Sequence, residues 1–146
     1  MSLSAQLFRK SVFVDTSAFF ALADQTDRLH HQARQYIELT DRLLVTSNLV
    51  VHETITLLRM RLAYEQALQF GLRLLDEATT PIVRVTPADE AKAWAIFRQY
   101  PDKRFSFVDC TSFALMKRLG IGTAFAFDDD FRRFGKWVVH PLGDIR

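Results

Sequence analysis

The sequence predicts a three-layer α/β/α domain with a mostly parallel central sheet, and three observations carry that prediction. Short apolar runs alternate with helical segments along the whole chain, the pattern of a sheet covered on both faces. The runs are continuously apolar, as strands buried on both sides require. Acidic residues stand directly after several of these runs, or on the helices that follow them, where the edge of an α/β sheet gathers functional groups. A single domain over residues 1–146 is the expected organisation, because a chain of 146 residues buries a sizeable core without staples.

Taken in order, Ser11 to Val14 reads as the first buried strand, and Thr16 or Ser17 can cap a short helix through Ala23. A polar loop from Asp24 to Arg28 leads to a helix from about His30 to Leu39. Leu43 to Thr46 is the second strand, with Ser47 or Asn48 capping a helix to about Arg61. A further helix, Glu65 to Ala78, carries Leu68, Leu72 and Leu75 on one face, with Gly71 weakening its middle. Pro81 to Val85 is the third strand. Thr86-Pro87-Ala88-Asp89 then combines a capping hydroxyl, proline at the first helical position and an acid at the third. Ser106-Phe107-Val108-Asp109 repeats the hydroxyl-to-acid spacing and starts a helix that Gly120 stops. Ile121 to Phe127 is the fourth strand, Asp130 to Phe134 a helical turn, and Trp137 to His140 the last strand.

Composition narrows the class. Hydrophobic residues make up 49% and charged residues 25%, which is globular rather than disordered. With Cys110 as its one cysteine, the chain has no disulfide framework and no cysteine-based zinc site. No apolar run approaches the ~20 residues that span a bilayer, and residues 1–10 have no apolar core of secretory length. A soluble, cytoplasmic protein is expected, with no membrane partner. The net charge of +2 does not by itself demand a nucleic acid. Gathering several of the 17 acids into one pocket would nevertheless leave the remaining surface more basic.

Four acids are the candidates for chemistry. Asp15 ends the first strand, and a helix N-cap explains it equally well in isolation. Ser17 could hold its carboxylate or serve as a cap itself. Glu53 lies among Val50, Val51, Ile55, Leu57 and Leu58, where an unpaired carboxylate would be costly; a solvent-facing helix position is the alternative. Asp109 fits the third position of a capping box, yet Phe107, Val108 and Phe113 predict a buried helix start. Of Asp128, Asp129 and Asp130, Asp128 is closest to the strand, with Asp130 in reserve. Carboxylates brought together repel by about 4 kcal/mol per pair at ~4 Å and an effective dielectric of ~20, so a divalent cation is the natural companion. His30 and His31 diverge by about 100° on a helix and do not make a metal pair. Arg28, Lys103, Arg104, Lys117, Arg118, Arg132 and Arg133 are candidates for phosphate contacts. The 13 phenylalanines read as core packing rather than base-stacking platforms.

In Val12-Phe13-Val14-Asp15-Thr16-Ser17-Ala18, Val51-His52-Glu53-Thr54, Phe105 to Met116 and Ala126-Phe127-Asp128-Asp129-Asp130-Phe131, the chain resembles the PIN domain family. The resemblance is closest to the VapC-type ribonuclease toxins of bacterial toxin–antitoxin pairs. It covers nearly the whole chain; each motif is short, and their order and spacing make the set specific. One departure stands out: Ala126 occupies a position where the family commonly has Thr, which removes a supporting hydroxyl but no acid. The resemblance implies endonucleolytic cleavage of RNA by Asp15, Glu53, Asp109 and Asp128. Asp15, Asp109 and Asp128 would hold Mg²⁺ or Mn²⁺, Ser17 would support them, and Glu53 would act through a water. It also implies a protein antitoxin and a homodimer, with the apolar helices between residues 48 and 78 as interface material. The alternatives are a catalytically silent PIN-fold binding module and a nuclease acting on RNA outside a toxin–antitoxin pair. Two other phosphoryl-transfer designs fit less well. A haloacid dehalogenase would want an acid at Ser17, and a receiver domain would want one after the third strand, where Ile82 to Thr86 supplies none.

Overall fold

The apolar run after Ser11 becomes the middle strand of the sheet. The computed structural model of the chain describes residues 3–141, so the expected span of 1–146 extends beyond the described residues at both ends. The strands are β1 (Val12–Val14), β2 (Leu44–Ser47), β3 (Ile82–Val83), β4 (Thr123–Phe125) and β5 (Val138–His140). They lie in the order β3-β2-β1-β4-β5, and every pairing is parallel. The expected mostly parallel sheet is thus wholly parallel among the described residues. Val12, Phe13 and Val14 are buried on both faces, opposite Thr123, Ala124 and Phe125, which explains why this run needs no polar alternation.

The helices are α1 (Leu3–Arg9), α2 (Thr16–Ala23), α3 (His30–Leu39), α4 (Asn48–Arg61), α5 (Tyr64–Gly71), α6 (Pro87–Gln99), α7 (Phe107–Leu119) and α8 (Asp130–Phe134). Side-chain caps set the starts of α2, α4, α6 and α7. The Ser47 hydroxyl accepts from the Val50 N–H at 3.1 Å, and both α6 and α7 begin with a reciprocal capping box. Gly120 ends α7 with φ of 75°, a left-handed position that suits a residue without Cβ.

Four elements differ from their sequence expectation. Helix α1 was not anticipated. The helix expected from Glu65 to Ala78 changes at Gly71 into a π-helical turn, Leu72–Asp76, and Ala78 then takes a positive φ of 50°; a glycine is where an α-helix yields most easily. Strands β3 and β4 are shorter than the apolar runs that contain them, because a strand extends only as far as its neighbours pair with it.

The core is aromatic. Phe13, Phe113, Phe125, Phe127 and Phe131 are fully buried, and Phe113 stacks on Phe134 with ring centres 4.4 Å apart. Most of the phenylalanines therefore serve packing, as expected. Phe97 and Phe107 are exposed, however, and lie beside the exposed Trp94. Among the described residues no helix is long and apolar enough to cross a membrane.

Candidate active site

Strands are added outward from β1 through β2 to β3, and the chain then returns to lay β4 against the other side of β1. The segments leaving β1 and β4 diverge at that point, and such a switch opens a crevice beyond the carboxyl ends of the two strands. Asp15 follows β1 at this edge, and Asp128 comes soon after β4. The Asp15 N–H donates to the Phe125 carbonyl at 3.0 Å, so the backbone of one strand fixes the first acid against the other.

Ser17 ties the two sides together. Its N–H and its hydroxyl both donate to Asp15 Oδ2, at 3.2 and 2.7 Å. The Ser17 Oγ in turn accepts from the Phe127 N–H at 3.0 Å, and from the Asp128 N–H at 3.5 Å. One side chain thus orients Asp15 and holds the start of the acidic Asp128–Asp130 segment. Asp15 is also the N-cap of α2, so the cap and the pocket are two roles of the same residue rather than alternatives.

Burial sets the electrostatics. Asp15 is 2% exposed, and desolvation, with Asp128 adding like charge, raises its pKa to about 7 despite the Ser17 bonds. At the start of α7, Asp109 Oδ2 accepts from the Ser106 N–H at 2.9 Å. Burial first, then the charges of Asp15 and Asp130, raise its pKa to about 8. Asp15, Asp109, Asp128 and Asp130 therefore act on one another, and Asp130 joins the group through Asp109. Asp129 turns away and pairs with Arg133 at 2.7 Å. Burial, with Asp109 and Asp130 nearby, also pushes the Cys110 thiol up to about 11, which makes it a poor nucleophile.

Glu53 is half-buried on α4, and the charges that raise Asp15 and Asp109 come from Asp128, Asp15 and Asp130. Among the described residues no three His, Cys, Asp or Glu side chains converge tightly enough to hold an ion by themselves. The donor set still fits a hard divalent cation. Mg²⁺ keeps several waters and takes only one or two carboxylates from many sites, and Asp15 and Asp109 are two desolvated carboxyls, the first adding like charge to the second.

Several basic candidates are engaged elsewhere. Arg118 grips Asp89 through Nε and Nη2 at 2.8 and 2.9 Å, Arg133 holds Asp129, and Lys103 lies 3.7 Å from Asp102. Two more hydroxyls near the acids are notable: Thr16, which the sequence offers only as a helix cap, and Ser112, which it does not single out. The hydroxyls of Thr16 and Ser112 are buried without a hydrogen-bond partner, a state that costs roughly 1–3 kcal/mol for a buried polar group. One follows Asp15 directly; the other lies one helical turn after Asp109. Their one signal in the sequence is a hydroxyl close behind each acid.

The PIN domain pattern matches residues 12–136 of the chain. The 23S rRNA-specific endonuclease VapC20 of Mycobacterium tuberculosis, from strain CDC 1551 / Oshkosh and from strain ATCC 25618 / H37Rv, is 36% identical over 130 residues, which cover 89% of this chain and 98% of that protein. The crystal structure of Mycobacterium tuberculosis VapC20, described as a sarcin–ricin loop cleaving toxin, superposes with a TM-score of 0.82 at 35% identity. That match covers 87% of this chain and 96% of the other. Sequence and fold agree: the chain belongs to the PIN domain family.

Proposed function

We propose that the chain is an endoribonuclease that hydrolyses a phosphodiester bond in ribosomal RNA, and that it is the toxin of a toxin–antitoxin pair. The observation that carries the chemistry is the gathering of desolvated acids at the switch point of the sheet, where Asp128 acts on Asp15 and Asp15 in turn acts on Asp109. Two carboxyls with raised proton affinity and, among the described residues, no basic partner are poised for a cation rather than for an ion pair. The substrate follows the named relative, a 23S rRNA-specific endonuclease similar over nearly its whole length.

The roles divide by position. Asp15 and Asp109 would hold Mg²⁺ or Mn²⁺, with Asp128 or Asp130 completing the negative wall. When bound, the ion supplies Lewis acidity: it makes water a stronger acid and offsets charge on the phosphoryl oxygens. Ser17 fixes the Asp15 carboxylate and the turn after β4 in one orientation. Glu53, on the neighbouring α4, would orient the attacking water. Exposed Arg104, in the loop before α7, is placed to meet the RNA backbone.

A protein antitoxin would block this site, with a basic side chain set among the acids. A cleft of about 1210 Å³ between α2, α3 and α5, lined by Phe19, Leu22, Ile37, Phe70 and Leu74, is large enough for a peptide segment from such a partner. Exposed Met60, Tyr64 and Leu75 support the expected homodimer through the helices between residues 48 and 78. Work on ribosomal RNA would place the protein in the cytoplasm.

The test is incubation of the purified chain with 23S rRNA and with a sarcin–ricin loop oligonucleotide, with Mg²⁺ or with chelator. Defined cleavage that chelator abolishes is expected. Intact RNA with Mg²⁺ for both substrates would favour a silent binding module instead.

A further inference from the structure

The buried hydroxyls of this protein fall into two groups. Among the described residues, Ser11, Thr16, Ser17, Thr46, Ser47, Thr54, Thr111, Ser112 and Thr123 are buried. Most have a partner within the fold. Ser11 donates to the Leu7 carbonyl, Thr46 to Val14, Thr54 to Val50 and Thr111 to Val108, each at 2.7 or 2.8 Å. Ser17 is bonded to Asp15, Ser47 accepts from the Val50 N–H, and Thr123 accepts from Arg42. Thr16 and Ser112 have none.

Their positions are not scattered. Thr16 is the first residue of α2, directly after Asp15. Ser112 is fully buried on α7, three residues after Asp109, so the two share a face of the helix. Helical side chains lean towards the N-terminus, which brings the Ser112 hydroxyl towards Asp109. Its neighbour Thr111 satisfies itself on the carbonyl three residues back; Ser112 does not use that route. Most buried side-chain polar atoms are hydrogen-bonded. Gln32 Oε1, Arg132 Nη1 and Trp137 Nε1 also lack a partner among the described residues. Thr16 and Ser112 are the hydroxyls in that state, and each closely follows one of the two central acids in the chain.

We infer that Thr16 and Ser112 are positioning residues whose hydroxyls hydrogen-bond the water shell of the divalent ion held by Asp15 and Asp109. The inference rests on the metal-dependent reading above and adds two named groups to it. A hydrated Mg²⁺ or Mn²⁺ offers water ligands that must themselves be oriented, and hydroxyls can donate to them or accept from them. Partners of this outer kind fix the geometry of a metal site, and losing one typically weakens metal binding or activity by 10–100-fold.

The experiment measures Mn²⁺ binding to the full chain without RNA, by calorimetric titration, alongside the thermal midpoint of the metal-free protein. Thr16→Val and Ser112→Ala should each bind Mn²⁺ about tenfold more weakly, while their metal-free midpoints stay at or above that of the wild type, because no hydrogen bond is lost. Thr16→Ser should restore binding. Ser11→Ala supplies the contrast, lowering the midpoint and leaving Mn²⁺ affinity intact. Wild-type-like Mn²⁺ affinity in both Thr16→Val and Ser112→Ala would overturn the inference alone. A wild-type chain that binds no Mn²⁺ at millimolar concentration would overturn it together with the metal-dependent reading.

Discussion

Helices α6 and α7 begin with the same local device and end in opposite chemistry. At α6, the Thr86 N–H donates to Asp89 Oδ2 at 2.9 Å, and the Asp89 N–H donates back to Thr86 Oγ1 at 3.1 Å. At α7, Ser106 and Asp109 make the same pair of bonds at 2.9 and 3.0 Å. Beyond the box the environments part. Asp89, 1% exposed, is gripped by Arg118; burial works against its charge, but the Arg118 and Thr86 bonds outweigh it, and its pKa falls below the usual carboxylate value. Asp109 is also desolvated but faces Asp15 and Asp130, and its pKa rises to about 8. The capping motif therefore fixes backbone geometry, and the charge brought up by the rest of the fold decides between a structural acid and a reactive one.

Exchanging the two acids for amides should separate them. Asp109→Asn keeps an oxygen for the Ser106 N–H, so the helix start should survive while cleavage falls by roughly 10²–10³-fold or more; RNA cleavage and a melting curve check both halves. Asp89→Asn should do the reverse. Leaving Arg118 without its carboxylate should cost about 2–3 kcal/mol, below the ~3–5 kcal/mol of a fully buried pair because the arginine is partly solvated, and cleavage by the folded fraction should be little changed. The wild-type contribution of Asp89 should also carry the pH signature of a lowered pKa. It is present above the unfolded value of 3.8 and is lost as pH falls through the lower folded value.

Smaller changes sharpen the contrast. Ser17→Ala removes the hydroxyl that orients Asp15 and receives the Phe127 N–H. It should lower cleavage by about tenfold, in line with other supporting partners, and stability by about 1–2 kcal/mol. Gly120→Ala places a Cβ at φ of 75°. No atom crowds the site, so the backbone term of about 1 kcal/mol should be the whole effect, with cleavage unchanged; denaturant titration and the RNA assay check this pair.

Much of this was legible in the sequence, for reasons that can be named. The strands around Phe13, Val45 and Ala124 announced themselves as unbroken apolar runs, and Thr86 and Ser106 marked two helix starts to the residue. Asp15 and Asp109 were visible because each follows an element boundary. What stayed hidden depends on tertiary approach. The sequence offered Arg118 as a phosphate contact, since nothing local reveals that Asp89, far back in the chain, captures it. It favoured Asp128 and held Asp130 in reserve, and the fold brings both into play, one against Asp15 and the other against Asp109. Ser112 and Thr111 look alike as letters; only side-chain geometry tells which hydroxyl satisfies itself. The change of helix at Gly71 was half visible, because the glycine was noted as a weakness without its consequence.

The most direct test is the thermal stability of the metal-free chain between pH 4 and pH 9, measured with and without Mn²⁺. Asp15 and Asp109 ionise near 3.8 when unfolded but only at about 7 and about 8 in the fold. The unfolded chain therefore binds fewer protons across that window, and stability should fall as pH rises from about 4 to about 8, then level off. Mn²⁺ should restore stability most at the alkaline end, where both carboxylates are ionised and ready to ligate. A metal-free curve rising across that window, or a chain indifferent to millimolar Mn²⁺ at pH 8, would contradict the account.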